Sequence, residues 1–315
     1  MYGQFFVLFA IVFTGYFLRK INFINDAMNN GLNRFIVYFA YPCVIVKNIG
    51  SLDMEGALLA KFFITFFLSL ALFAVYAVFA VLYTKARKFP RENSNVAEFA
   101  MVSPNNGFMG FPVTQIFFGP TGFLMMIAHN AAMNVFFFTY GISLLRRNNE
   151  DREKTTLKSL GMVFLKMLLN PNIVALFIGF AICLSGVQFE DTPVDVYLTY
   201  IGNVATPMAM IFIGSSLTKN NFKDIFADIK VIESSVNKLI ILPALTFALV
   251  YFLPVADIIR QILVLGCCFP VAATVSMLAE QEGQDQNLSS RILFLSTVAS
   301  MVTIPLAIKL INMFI

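Results

Sequence analysis

The chain has 315 residues, of which 58% are hydrophobic and 13% charged, with a formal net charge of +4 and a mean hydropathy of +0.78. A soluble domain carries about 25% charge, so these values exclude a soluble globular protein, predict an all-α polytopic membrane protein, and give no sign of nucleic acid or an acidic partner. With 36 phenylalanines and no tryptophan, any interfacial aromatic belt must be built from tyrosine.

Apolar runs of about 20 residues, the length that crosses a bilayer, lie near 3–19, 33–51, 58–83, 96–118, 122–145, 159–185, 196–217, 231–253, 257–279 and 289–313, and predict ten transmembrane helices. The first run starts close to Met1 with no basic stretch before it and reads as a retained helix rather than a signal peptide. Odd-numbered loops hold most of the basic residues: Arg19, Lys20 and Arg34; Lys85, Arg87, Lys88 and Arg91; Arg146, Arg147, Arg152, Lys154 and Lys158; Lys219, Lys223 and Lys230; and Arg291. The even-numbered loops and termini hold Lys61, Arg260 and Lys309. This bias puts the odd loops in the cytoplasm and both termini outside the cytoplasmic membrane. Cys43, Cys183, Cys267 and Cys268 lie in apolar runs without metal-ligand spacing, so reduced thiols, no metal and no cofactor are expected.

Along the chain, the second run carries Pro42 followed ten residues later by Leu52. The fourth holds Ser103-Pro104-Asn105-Asn106-Gly107-Phe108-Met109-Gly110-Phe111-Pro112-Val113, with Gln115 just beyond. In the fifth, Asn130 and Asn134 stand at i, i+4 and share a helix face; they either line a site or join helices through hydrogen bonds. His129, the one histidine, adjoins them. The seventh run repeats the pattern of the second, Pro207 followed ten residues later by Leu217, and the ninth repeats the break of the fourth in Leu265-Gly266-Cys267-Cys268-Phe269-Pro270-Val271, with Thr274 beyond it. Lys238, in the eighth run, reads as an anion partner, a bridge between helices or a snorkelling side chain.

Ten helices with both ends outside divide into repeats at 1–145 and 159–315, separated by a cytoplasmic loop at 146–158. Five is odd, so the second repeat enters the membrane inverted, and paired breaks in inverted halves point to a transporter's binding site. Proline deletes a backbone hydrogen bond and frees polar groups at mid-membrane. On this reading Pro112 and Pro270 each open a new half-helix at its first turn, and the two positive N-terminal ends, with Asn105 and Asn106, suit a carboxylate. The alternative is that the two prolines only kink packed helices.

The 103–113 motif resembles the crossover of the auxin efflux carrier family, which includes bacterial malate and malonate permeases. Asn170-Pro171-Asn172 and Gly202-Asn203-Val204-Ala205-Thr206-Pro207 look like two further motifs of that family. The resemblance spans essentially the whole chain. It implies a scaffold of helices 1, 2, 6 and 7, a mobile transport domain of helices 3–5 and 8–10, elevator-type motion and a homodimer. It also implies a substrate at the crossing of helices 4 and 9, where Asn105 faces it and Pro112 and Pro270 fall on the crossover prolines. Cys267 and Cys268 depart from the glycine-rich pattern on the helix-9 side.

The sequence therefore predicts a secondary transporter for small organic anions such as malate or malonate. Its substrate contacts are Asn105, Asn106, Asn130, Asn134, Gln115 and Thr274, and its hinges are Pro104, Gly107, Gly110, Pro112, Gly266 and Pro270. Coupling to H+ or Na+ is open: His129 and Lys238 are the coupling candidates, and a sodium site could draw on the crossover carbonyls with Asn105, Asn130 or Thr274. A membrane receptor using the same fold is the alternative, although it calls for an output domain that this reading does not find. An enzyme is disfavoured: there is no His-Glu-x-x-His pattern and no Walker A loop.

Overall fold

The computed structural model describes residues 2–52, 56–147, 165, 168–187, 190–218 and 228–315. Among them the secondary structure is helical apart from one isolated bridge. Most of the predicted loop at 146–158, the start of the sixth run, Lys219 and Lys223 lie outside the described residues.

α1 (Tyr2–Lys20) ends on Arg19 and Lys20, cations that suit the negative end of a helix dipole. α2 (Asp26–Phe35) is capped by Asn25, whose side chain accepts from the Met28 amide at 2.8 Å. A π-helical turn (Ile36–Ala40) joins it to α3 (Tyr41–Gly50). α4 (Gly56–Ala86) has 31 residues and so spans about 46 Å at 1.5 Å per residue. After α5 (Arg91–Val102), a π turn (Asn106–Gly110) leads into α6 (Phe111–Phe136), and a further π turn (Phe137–Gly141) into α7 (Ile142–Arg146). Inside α6, Gly119 has φ 63° and ψ −163°, a backbone conformation open to glycine, and with Pro120 it kinks the helix sharply between the fourth and fifth predicted runs.

In the second half, α8 (Pro171–Ser185) and α9 (Pro193–Leu217) each begin with proline after a capping side chain, Asn170 and Thr192. Proline suits that position because its missing N–H would have had no partner there. α10 (Ile229–Val236), a π turn (Asn237–Ile241) and α11 (Leu242–Val250) follow, then α12 (Asp257–Cys268), α13 (Ala273–Gln281) and α14 (Gln286–Phe314). Three of the four described π turns end two residues before a proline, at Pro42, Pro112 and Pro243. Proline would clash with the carbonyl four residues back, and widening the turn to i→i−5 bonding moves that carbonyl aside.

Among the described residues five helical stretches are long and apolar enough to cross a membrane: Gly56–Ala86, Asn106–Arg146, Pro193–Leu217, Ile229–Val250 and Gln286–Phe314. Their outer faces expose Phe67, Leu82, Val302 and Leu306, which water would penalise and lipid would not. This is the architecture of a multi-pass membrane protein.

Small residues set the closest helix approaches, as expected where packing rather than hydrophobic burial holds helices together. α1 meets α9 with Gly15 against the Ile211 backbone and Gly214 against the Val12 backbone. α3 lies against α8 and α9, with Gly179 facing Ile49 and Gly202 facing Val44. α4 packs on α5 and α6, while α12 contacts α6, α11 and α14. Rings fill the seam between these two sets of helices. Phe108 stands 4.9 Å from Phe212 between centroids, and Tyr41 meets Phe111 edge-on at 5.4 Å.

Basic residues from the odd-numbered loops are tied down by carboxylates. Arg146 grips Glu282 through two bonds of 2.9 and 3.0 Å, Arg147 reaches Glu98 at 3.2 Å, and Arg87 pairs with Glu233. Thr84 donates to Glu98 as well, at 2.6 Å. These pairs hold α4, α5, α7 and α10 to one another and to the turn after α13.

Candidate functional site

α5 stops at Val102 and α12 stops at Cys268, and each is followed by a short extended segment before the next helix begins. Ser103 (φ −112°, ψ 83°) and Asn105 (φ −82°, ψ 64°) flank Pro104 on one side. Phe269 (φ −69°, ψ 146°) and Ala272 (φ −70°, ψ 139°) flank Pro270-Val271 on the other. The two segments cross antiparallel through a bridge between Pro104 and Val271. The Asn105 amide donates to the Pro270 carbonyl at 2.7 Å, and the Ala272 amide to the Ser103 carbonyl at 2.9 Å. The Val271 amide donates to Ser296 Oγ at 3.1 Å. Backbone groups freed in a bilayer must find protein partners, and each broken helix here supplies them to the other.

The restart points differ from the expectation at Pro112 and Pro270. The first helix resumes at Asn106, two residues after Pro104, and Pro112 sits inside the resumed helix. The π turn makes that tolerable: the Gly110 amide reaches back five residues to the Asn105 carbonyl at 3.1 Å. Pro270 lies within its extended segment, and the second helix resumes at Ala273. The structural counterpart of Pro270 is therefore Pro104. Gly266 is likewise helical, not part of the break; a Cβ there would fall 2.4 Å from His129 Nε2. Gly110 packs against the Phe269 ring, which a Cβ would meet at 3.0 Å, so glycine lets the two arms approach.

Beside the crossing lies a cavity of about 350 Å³. Pro104, Asn105, Asn106, Gly107, Asn130, Asn134 and Thr274 line it, together with Asn33, Asn170, Asn172 and Gln281. Tyr38, Phe108, Phe137, Phe138 and Phe212 form its aromatic wall. No Asp, Glu, Lys, Arg or His is among its described lining residues. Asn105 caps the resumed helix, its Oδ1 accepting from the Phe108 amide at 3.3 Å. Asn106 is fully buried; its Nδ2 points to Met133 Sδ at 3.5 Å and its Oδ1 has no partner. Both resumed helices present their first turns to the cavity, through Asn106, Gly107 and Phe108 and through Ala273 and Thr274. The first N–H groups of a helix have no intrahelical acceptor and carry partial positive charge. A second cavity of about 280 Å³ shares Asn33, Phe212, Ala273 and Met277 with the first and adds Asp26, Asn29 and Glu280.

Of the hinge candidates Gly110, Pro112, Gly266 and Pro270 are not lining residues, and three of the proposed substrate contacts and coupling residues also stand outside this cavity. Gln115 is exposed and donates to Asn48 Oδ1 at 3.3 Å, linking α6 to α3. His129 is buried, with Nδ1 2.8 Å from Ser69 Oγ and its ring stacked on Phe73 at 5.1 Å. Lys238 does not snorkel: its relative exposure is 0%, and Nζ donates to the Cys267 carbonyl at 3.2 Å. In the other direction, Asn33, Tyr38, Asn170, Asn172 and Gln281 were missed as lining residues. The Asn170-Pro171-Asn172 motif was visible as a helix start; what could not be seen was that this start faces the crossover. Among the described residues no group of three or more His, Cys, Asp or Glu could hold a metal ion.

Comparison with known proteins finds membrane transporters among the relatives of the chain. A family model described as membrane transport protein matches residues 1–308. An uncharacterized transporter of Methanothermobacter thermautotrophicus is 22% identical over 297 residues, covering 94% of each chain. A protein of Rhizobium meliloti provisionally named a malonate transporter is 27% identical over 304 residues, covering 94% of this chain and 91% of its own. A lysosomal cholesterol signaling protein of Mus musculus is 22% identical over 317 residues, covering 93% of this chain and 35% of its own.

Proposed function

The chain belongs to the membrane transport protein family, the auxin efflux carrier family that its crossover motif resembles, and from that premise we propose that it is a secondary carrier for small organic anions. As a family member it is a multi-pass membrane transporter of a small molecule and not an enzyme. The observation that carries the finer reading is the crossing itself, where two helix N-termini open on a cavity lined by neutral amides. Aligned peptide dipoles and free amides hold a carboxylate without a formal cation in the wall. The malonate named for the Rhizobium meliloti relative makes malonate the first substrate to try.

We take the chain to cross the cytoplasmic membrane ten times as two inverted repeats, 1–145 and 159–315, with both termini outside. α1, α2, α3, α8 and α9 would form a scaffold that also mediates a homodimer. The remaining helices would carry the crossover past it in an elevator motion. The tight glycine contacts of α1 with α9 and of α3 with α8 and α9 support a rigid scaffold, and the ion pairs that stitch α4, α5, α7 and α10 support a body that moves as one. Asn33, Asn170 and Gln281 lie near the ends that carry basic loops, so the cavity is read as facing inward, with Gln115–Asn48 as a contact on the opposite side.

The test is uptake and counterflow of radiolabelled mono- and dicarboxylates in proteoliposomes, with sodium, proton and voltage gradients imposed one at a time. Saturable flux of one acid supports the carrier, and the gradient that drives it identifies the coupling. Ligand binding without flux under every gradient would favour a receptor, a reading that the mouse signaling relative keeps in view. The geometry also separates two classes of variant. Asn130→Ala and Asn134→Ala remove lining amides and should raise KM about tenfold, the loss of a hydrogen bond to a charged group. Gln115→Leu should leave KM within about fivefold, because a partly buried hydrogen bond outside the cavity contributes roughly 1 kcal/mol at most to the balance of conformations.

A further inference from the structure

Among the described lining residues of the cavity there is no Lys, Arg or His, yet a lysine is buried close behind the crossing. Lys238, in the π turn between α10 and α11, is fully buried and donates to the carbonyl of Cys267, in the last turn of α12. A helix leaves its last four carbonyls without intrahelical partners, and they carry the negative end of its dipole. α12 ends at Cys268, immediately before the extended segment that forms the crossing. His129 closes the same turn from α6, its ring against Gly266 and its Nδ1 on Ser69. No carboxylate among the described residues forms an ion pair with Lys238. A lysine buried inside a membrane protein without an ion pair among the described residues calls for a functional account.

We propose that Lys238 keeps its charge and is a positioning charge for the crossover: by occupying the carbonyl end of α12 it leaves the amide end of the helix resumed at Ala273 less opposed, so that the neutral cavity prefers anions, and dianions over monoanions. A broken helix presents a negative and a positive end to the same gap. Left alone, the two ends largely cancel for a ligand lying between them. A fixed cation at the negative end removes that cancellation without touching substrate. This inference rests on the carrier reading above and names what sets its charge selectivity.

The test is equilibrium binding of radiolabelled malonate to the full-length protein in lipid nanodiscs, competed with unlabelled monomethyl malonate, which has a similar skeleton and one charge fewer. The unmodified protein should prefer malonate. Lys238→Met should weaken malonate about tenfold and monomethyl malonate only about threefold, the ratio expected when one distant unit charge is removed. Lys238→Gln keeps a donor for the Cys267 carbonyl but no charge and should behave as Lys238→Met does, whereas Lys238→Arg should retain the preference. Equal losses for both ligands, unchanged binding, or a preference retained by Lys238→Gln would overturn the proposal, since each would mean that the side chain acts through structure and not through charge. If Lys238→Met does not fold, Lys238→Gln and Lys238→Arg still decide between these outcomes. An unmodified protein that binds neither ligand would overturn the carboxylate reading and this inference with it; binding that ignores Lys238 would overturn this inference alone.

Discussion

Asn105→Asp should reduce carboxylate flux by about a hundredfold or more while leaving the protein folded, and Asn105→Ala should reduce it at least tenfold, as a rough bound from loss of one amide and one cap. Asn105 does two things that can be separated. Its backbone amide closes the crossing through the Pro270 carbonyl, which every substitution except proline preserves. Its side chain caps the resumed helix at the Phe108 amide and lines the cavity. Alanine removes cap and amide together, at a folding cost of about 1 kcal/mol for the cap. Serine restores a capping oxygen without the amide, so Asn105→Ser should melt as the unmodified protein does and still transport poorly. Aspartate caps as well as asparagine but sets a carboxylate beside the incoming one, a repulsion of several kcal/mol at short range in a medium of intermediate dielectric. Initial uptake rates in proteoliposomes, paired with thermal melts in detergent, give both readouts. Normal flux in Asn105→Asp would mean that the anion does not pass this residue.

Gly214→Leu should abolish folded protein altogether. A Cβ on Gly214 would fall 1.8 Å from the Val12 carbonyl oxygen and 2.8 Å from the Tyr16 amide nitrogen, both backbone atoms of α1. The contact is reciprocal, since a Cβ on Gly15 would fall 2.2 Å from the Ile211 carbonyl oxygen. No rotamer change relieves an overlap with backbone. The helices must separate, and the loss of close packing should exceed about 4 kcal/mol, the range reserved for gross overpacking. Two controls bracket the effect. Gly202→Ala meets the Val44 side chain at 3.1 Å, where a small shift suffices. Gly31→Ala meets nothing within 4 Å in α2 and should be neutral or slightly stabilising. Size-exclusion profiles after heating would rank the three. A Gly214→Leu protein that melts alongside the unmodified one would show that α1 and α9 are not in backbone contact.

Helices and the places where they fail are local matters, and local composition was enough to find them. Outside the two breaks the apolar runs fall largely on helices where the chain is described, because burying a backbone in lipid leaves helix as the way to satisfy it within one segment. The two segments that carry Pro104 and Pro270 were recognisable as breaks for the same reason: a proline's missing donor and the carbonyl it displaces are properties of a few neighbouring residues. Membership of a transporter family followed from the residues of the 103–113 motif, and the match over 1–308 bears it out.

Which proline breaks its helix was decided elsewhere. Pro104 and Pro112 stand in the same motif, yet one ends a helix and the other lies within one. The difference is that the Asn105 amide and the Ser103 carbonyl find partners in residues 270–272, whereas Pro112 is accommodated by a π turn that needs no distant partner. Chain-local arguments cannot weigh a hydrogen bond to a residue more than 150 positions away. The cavity was partly hidden for a related reason. Asn130 and Asn134 share a face that periodicity reveals, but whether that face meets Asn33 and Asn170 depends on how helices from distant parts of the chain are rotated against one another. Gln115 turns outward to Asn48 on that account, and of the roles open to Lys238 the packing selects the bridge between helices, sealed at the end of α12. The sequence by itself determined that this is a helical membrane transporter with two broken helices, since lipid and proline act on the residues beside them. The tertiary structure decided where the breaks meet, which amides face the cavity and where the buried cation sits, since backbone groups freed inside a membrane take their partners from whichever segment packing brings within about 3 Å.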